Sequence, residues 1–335
     1  MRTYGYTLRP LSAFGTPLAG DTLFGQLCWT LRHQLGNLRL GELLQGYTHG
    51  RPFVVVADAV PAGHLPLPNV PSRLWASSEN TDRKALKKKR WLPRAALNES
   101  FSEWQARALS DSEAAAPWLK QWAEVSKHRN THGSSQTERA QPHNTINRQT
   151  GTTGEGQFAP YAMPQIWFHP AMQLDVHLVL DVARLSLADL TAAFDAIGAT
   201  GFGRDASIGL GKFERVGEPR SIIWPANAAP NSYLTLGPCA PQGQGYCPVR
   251  STYQVATRFG RHGDAAVQSG QPFKRPVLLA KAGAVFWPES ADSLCTFIGQ
   301  GLGGATTPVS LAMPETVQQG YAPVIAIHRS LEATL

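Results

Sequence analysis

The sequence predicts an α+β protein of two domains. A strand–helix–strand pattern occurs twice before residue 230, and a long polar, proline-rich stretch separates the two occurrences. After Pro230 the chain reads instead as strands between Gly/Pro turns. Hydrophobic residues make up 42% and charged residues 16% of 335 positions, which supplies a sizeable core and argues against disorder. The 31 glycines and 25 prolines favour sheet and loops over helical bundles.

Tyr4, Tyr6 and Leu8 alternate with Thr3, Gly5 and Thr7, the period of a half-buried strand. "SAFGTPLAG" breaks that pattern, and Asp21 stands where it caps a helix. Leu23, Phe24, Leu27, Cys28, Leu31 and Leu35 form the helix's apolar stripe, and Gly36 stops it. "PFVVVADA" (52–59) is a continuous apolar run and reads as a buried strand.

From about 61 to 170 the character changes to that of an insertion, partly mobile in isolation. It opens with "PAGHLPLPNVP" and continues with "RKALKKKRWLPR" (83–94), seven basic residues in twelve. A helix-like stretch covers 101–125, and a polar run follows. Order returns at "LDVHLVLD", where Leu174, Val176, Leu178 and Leu180 alternate. "SLAD" (186–189) then starts a helix that buries Leu187, Leu190, Phe194 and Ile197. "GKFERV" closes the second strand–helix–strand unit. Together the two units make the βαββαβ ferredoxin-like (RRM-like) plan, which many RNA-binding modules share. Residues 1–230 form this first domain. Residues 231–335 form a β-rich second one, with strands in "NSYLTLGPCAP", "STYQVATRF", "RPVLLAKAGAVFW" and "YAPVIAIHR", and helix only at 291–300.

The net charge of +7 favours an acidic partner, nucleic acid being the commonest. The four cysteines form no CxxC pair and have no histidine at metal-ligand spacing, which leaves no metal site and suits a reducing cytoplasm. The N-terminus lacks an apolar leader and no stretch is long enough to span a bilayer, so a soluble, cytoplasmic protein is expected.

"GFGRDASIGLGKF" (201–213) is the most distinctive segment. It lacks the GxxxxGK[ST] of a phosphate-binding P-loop, and "GFGRDA" lacks the third glycine of a dinucleotide fingerprint. No nucleotide cofactor is expected. Gly201, Gly203, Gly209 and Gly211 allow close backbone approach, so several N–H groups can converge on one anion. Arg204 and Lys212 add charge, and Ser207 adds a hydroxyl. The alternative is a tight helix-to-strand turn with glycines chosen for geometry alone.

This segment resembles the signature glycine-rich loop of the RAMP superfamily, the RNA-binding proteins of CRISPR systems. "SAFGTPLAGDTLFGQLCW" (12–29), "ADAVPAGHLPLP" (57–68), "HNTINRQTGTTGEGQFAPY" (143–161) and "RPVLLAKAGAVF" (275–286) resemble further blocks of one branch of it. That branch is the Cas5-like, Csm-type subunit of type III-A effector complexes, which binds the 5′ handle of the guide RNA. The resemblance implies two ferredoxin-like domains, no cofactor and no catalytic residues. It implies guide crRNA, a large polymerase- and nuclease-like subunit and a backbone RAMP subunit as partners, with target RNA as a further one, in antiviral defence.

Matched residue by residue, the resemblance points to an RNA-binding loop of Gly201, Gly203, Arg204, Asp205, Ser207, Gly209, Gly211 and Lys212. An N-terminal motif adds Ser12, Phe14, Thr16 and Thr22 at the entrance to the first helix, where free N–H groups favour phosphate. The insertion adds His143, Asn144, Asn147, Arg148, Thr150 and Thr152 on a thumb-like hairpin within about 130–160, with Phe158 and Tyr161 as stacking or core aromatics. Lys87, Lys88, Lys89 and Arg90 form a basic run, read either as a phosphate patch or as a solvated face. RAMP relatives also include metal-independent endoribonucleases that process repeat RNA. For that alternative His33, His143 and His169 are the candidates for the general base.

Overall fold

The computed structural model describes residues 1–75, 83–126, 134–225, 229–290 and 295–329. The first strand, Arg2–Pro10, buries Tyr4, Tyr6 and Leu8 as its alternation requires. It pairs antiparallel with Leu174–Leu180 on one edge, and with Phe213–Arg215 and Arg220–Ser221 on the other. Val54–Val56 pairs with the far edge of Leu174–Leu180. In chain order the four positions of this sheet run 4-1-3-2, the order of the βαββαβ plan.

Two helices, Gly20–Leu35 and Leu187–Thr200, cover one face of the sheet. Leu23, Phe24, Leu27 and Leu31 of the first and Leu190, Phe194 and Ile197 of the second share a core with Tyr6, whose ring stacks on Phe194 at 4.8 Å. Each such side chain contributes roughly 1.5–3 kcal/mol by leaving water. Ser186 caps the second helix as expected, accepting the Asp189 N–H at 3.0 Å. Gly36 ends the first with a φ of 89°.

The opposite face is the one that RRM-type modules offer to bases, and here it is covered. His177 is buried beneath Trp224 at 5.1 Å, and burial pushes its imidazole down to about 4. Beside it, buried Asp175 accepts from Thr7 Oγ1 at 2.6 Å and from Arg220 at 3.0 Å. Any RNA site of this fold lies elsewhere.

The insertion leaves and rejoins the sheet at one place, where Val60 faces Asp175 and Pro61 faces Leu174. Its first part is a packed layer. Leu65, Trp75, Leu92, Leu97, Phe101 and Trp104 share a second core with Leu234, Leu236, Val285, Ile325 and Ile327 of the C-terminal half.

That half carries an antiparallel sheet ordered Val285–Phe286, Ser232–Thr235, Tyr321–Ile327, Phe297–Gly299. A separate hairpin joins Val255–Arg258 to Val277–Ala280. No α-helix occurs among the described residues from 229 onward. The helix expected at 291–300 is instead a strand over Phe297–Gly299, and 291–294 lie outside the described residues. The cause is two-sided burial: Phe297 packs on the first core and Ile298 enters a third, a period of two that no helix provides.

The halves are stapled together. Gln319 donates to Val56 C=O at 2.8 Å and accepts the Val56 N–H at 2.9 Å, acting as a strand partner for the sheet's edge. Tyr321 belongs to the first core, and its hydroxyl donates to Tyr47 C=O. Among the described residues no helix is long and apolar enough to cross a membrane.

Candidate nucleic-acid interface

The glycine-rich loop leaves the second helix at Gly201 and enters the strand at Phe213, and the N-terminal motif lies along it. Gly211 N–H donates to Ala13 C=O at 2.7 Å, and Leu11 N–H donates to Lys212 C=O at 2.8 Å. Lys212 N–H donates to Ser12 Oγ at 2.9 Å. Arg204 N–H donates to Thr16 Oγ1 at 3.0 Å. Gln26, nearly two turns into the first helix, grips the loop with both ends of its amide: Nε2 donates to Gly201 C=O and Oε1 accepts the Gly203 N–H.

Three of the four glycines are explained by this packing. A Cβ on Gly201 would stand 2.4 Å from Leu210 O, one on Gly203 2.7 Å from Thr16 Cβ, and one on Gly211 2.1 Å from Phe202 O. All three have positive φ. Gly201 and Gly211 admit the protein's own backbone and Gly203 the Thr16 side chain, where the sequence suggested an RNA strand. Gly209 alone faces open space. Phe14 is likewise removed from any RNA: it is 1% exposed, with its ring against Phe168 and Phe202.

Asp205 sits in the left-handed region at φ 64° and starts a single turn over Ala206–Ile208. Its C=O accepts from Ile208 and Leu210 N–H, and its carboxylate lies 3.4 Å from Arg204 Nε. The Arg204 guanidinium also donates to Pro164 C=O. Asp205 therefore orients Arg204 and closes the turn. Ser207, Ile208 and Lys212 project from the loop into solvent.

Pro164 belongs to a third segment at the same place. Strands Gln136–His143 and Tyr161–Phe168 form a hairpin in register from Gln136↔Phe168 to His143↔Tyr161. Its second strand runs past the expected limit of 160, because Ile166 is the anchor: its N–H and C=O pair with the C=O and N–H of Phe14. From that base the hairpin stands free. Every residue of Gln136–Gln141 is exposed.

At the far end His143 stacks on Tyr161 at 5.3 Å, and its Nε2 is buried without a partner. Asn147 builds the tip, accepting the Gln149 N–H on Oδ1 and the Gly151 N–H on its C=O. Thr150 and Thr152 pair through their hydroxyls at 3.0 Å, while Asn144 and Arg148 are exposed. Phe158 is half-buried within the tip.

No protein-family model and no curated protein matches the chain. Solved structures do. A chain in the crystal structure of the Csm3-Csm4 subcomplex of the type III-A CRISPR-Cas interference complex is similar with a TM-score of 0.59 at 13% identity, over 97% of this chain and 99% of that one. A chain of the Csm1-Csm4 cassette in complex with pppApA gives 0.58 at 12% identity, over 98% and 99%. The same cassette with AMPPNP gives 0.56 at 14%, over 98% and 99%. Csm4 is the component these assemblies have in common. The chain has a Csm4-like fold.

Within this Csm4-like fold the entrance of the first helix differs from the sequence expectation. Asp21 is not the cap; Ala19 holds that position, and the Gly20 N–H donates to Asp58 Oδ1 at 2.7 Å. Protein carboxylates thus occupy the anion site that the helix N-terminus was expected to offer to phosphate. Asp21 is buried and pairs with Arg258 of the second half at 3.1 Å. Burial raises both carboxyls, Asp58 to about 7. Thr22 N–H bonds back to Ala19 C=O.

The basic run is half neutralised. Lys89 Nζ reaches both Glu113 oxygens at 2.7 Å, and Arg90 reaches Asp111 at 3.2 Å. Lys89 and Ser110 hold the Glu113 carboxyl down at about 2. Lys87 and Lys88 remain exposed. Asp111 also accepts the Trp91 indole N–H at 2.6 Å, so this cluster is first a brace between two segments of the insertion. Of the three nominated histidines, His33 pairs with Asp264 at 2.6 Å and His169 accepts the Ala171 N–H. They lie on separate elements from His143, and no two are brought together.

Gln26, Pro164 and Asp58 were not singled out by sequence. Gln26 lies inside the resembling block 12–29, so its segment was visible while its role was not.

Proposed function

We propose that this chain is the non-catalytic subunit of a type III CRISPR-Cas ribonucleoprotein effector, binding the 5′ handle of the guide crRNA. In this reading it bridges the large polymerase-like subunit to the backbone RAMP filament in antiviral defence, and target RNA passes nearby. Two ferredoxin-like domains go with it. The 4-1-3-2 sheet supports the first, and the four-stranded antiparallel sheet of the second half is compatible with the second.

The observation that carries the reading is convergence. Three segments far apart in sequence, 12–26, 161–168 and 201–212, are bonded into one platform with a free-standing hairpin rising from it. Solvent-facing Ser207 and Lys212 at the base, and Asn144 and Arg148 at the tip, offer donors to phosphates and bases. The handle would run from loop to hairpin.

The test is binding of a labelled guide with and without its 5′ handle. Tight, salt-sensitive binding that needs the handle and leaves the RNA intact is the expected result. Site-specific cleavage that disappears in His143→Ala would overturn the non-catalytic reading.

A further inference from the structure

The hairpin of the second half carries a face that the RNA platform does not use. Along 255–262 the two sides of the strand differ. Tyr253 and Gln254 are both exposed; from Val255 on, Val255, Thr257, Phe259 and Arg261 are exposed, while Ala256, Arg258 and Gly260 are partly covered and His262 is buried. On the partner strand Leu278 faces Thr257, and Phe273 faces Arg261 across an isolated bridge.

The covered side is fixed in place. Arg258 pairs with Asp21 on the first helix, and His262 bonds Ser310 Oγ at 2.6 Å. The outer side therefore cannot turn inward without breaking a buried ion pair. Yet it presents Phe259 at 76%, Phe273 at 69%, Leu278 at 57% and Val255 at 55% exposure. Beside Val255 and Leu278 opens a surface cavity of about 390 Å³ lined also by Tyr246, Tyr253 and Phe286, a volume that one large side chain would fit.

Contiguous apolar surface of this kind marks an interaction site. Aromatic residues and arginine with few acids are the composition of protein interfaces. Aliphatic Val255 and Leu278 at the centre favour protein over RNA, which would need stacking rings and cations throughout. Charge defines the partner further. Arg250, Arg261, Arg275 and Lys281 are exposed around the face, and Asp264, engaged by His33, is the single acid between residues 240 and 288.

We infer that this face docks a protein subunit presenting an apolar side chain for the cavity and carboxylates at its rim. On the bridging role proposed above, that subunit is the large one. The RNA platform lies on the first half and this face on the second, so the two serve different partners. The inference rests on that reading.

The experiment uses the full-length chain co-expressed with the large and backbone subunits of its own complex and a guide RNA. Leu278→Asp and Phe259→Asp change exposed side chains. Each should weaken the large subunit's affinity on the order of tenfold to a hundredfold, as at an interface hot spot, with guide and backbone subunit retained. Arg261→Glu should weaken it too, and hydrogen exchange on the wild-type assembly should slow at 253–261 and 276–280 when the large subunit is added. Unchanged large-subunit affinity in all three variants, or no protection of those segments, overturns the inference while leaving the bridging role standing. Loss of guide RNA with the large subunit retained would make the face an RNA surface and equally overturn it. A wild-type chain that binds no large subunit would instead bring down the bridging role and this inference together.

Discussion

The Arg204 N–H donates to Thr16 Oγ1 at 3.0 Å, and the same Thr16 lies where a Cβ on Gly203 would stand 2.7 Å from its own Cβ. Loop and N-terminal motif are thus complementary at one point, through a hydroxyl on one side and a missing side chain on the other. Thr16→Val should leave the Arg204 N–H without an acceptor and cost ~1–3 kcal/mol. Gly203→Ala adds both a clash and a strained positive φ, and should cost at least as much. Urea denaturation of the two variants checks this, and wild-type stability in both would remove the loop–motif bond from the account.

Arg204 and Lys212, equal partners in the sequence, are unequal in the structure. The Arg204 side chain is held by Pro164 C=O and Asp205, whereas Lys212 projects into solvent. Lys212→Glu should therefore weaken guide-RNA binding by ~1–3 kcal/mol per phosphate contact with no change in melting temperature. Arg204→Glu should lower both, because it also releases the base of the hairpin. Binding titrations paired with thermal melts distinguish the two, and identical behaviour of the variants would contradict the assignment.

Much of this was legible in the sequence, and the failures share a cause. The alternation of Tyr4, Tyr6 and Leu8, the stripe from Leu23 to Leu31 and the Ser186 cap are local signals, and the structure keeps them. Asp21 misled because a carboxylate at a helix start reads as a cap, whereas its partner Arg258 lies more than two hundred residues away. Phe297–Gly299 misled similarly, since its strand exists only against Tyr321–Pro323. The glycines misled differently. The sequence showed that something approaches the loop closely, and for three of them that something is the chain itself.

Asp58 gives the stability a pH dependence with a definite sign. Burial raises its folded-state carboxyl to about 7, against about 3.9 unfolded. The folded state holds the proton more tightly, so this group's contribution is fully present below the unfolded value and is lost as pH rises through 7. Asp58→Asn keeps an oxygen for the Gly20 N–H and removes the charge. Its stability relative to wild type should grow from pH 4 to pH 7 and level off above. Urea midpoints of both proteins at pH 5 and pH 8 test this; an advantage that shrinks with pH would reverse the assignment.

The hairpin tip separates binding from folding. His143 and Tyr161 close the last register pair, and, among the described residues, 144–160 beyond them make local bonds such as Asn147 with Gln149 and Gly151. Replacing 144–160 by a two-residue Asn-Gly turn suits a hairpin's twist and should preserve both strands. The base, anchored by Ile166 on Phe14, is untouched, so the melting temperature should hold. Guide affinity should fall about tenfold or more, since Asn144 and Arg148 go with the tip and each lost polar contact is worth ~1 kcal/mol. The salt dependence should also become shallower, because one cation fewer displaces counter-ions. Full affinity with an unchanged salt slope would confine RNA binding to the loop and leave the hairpin for protein contacts.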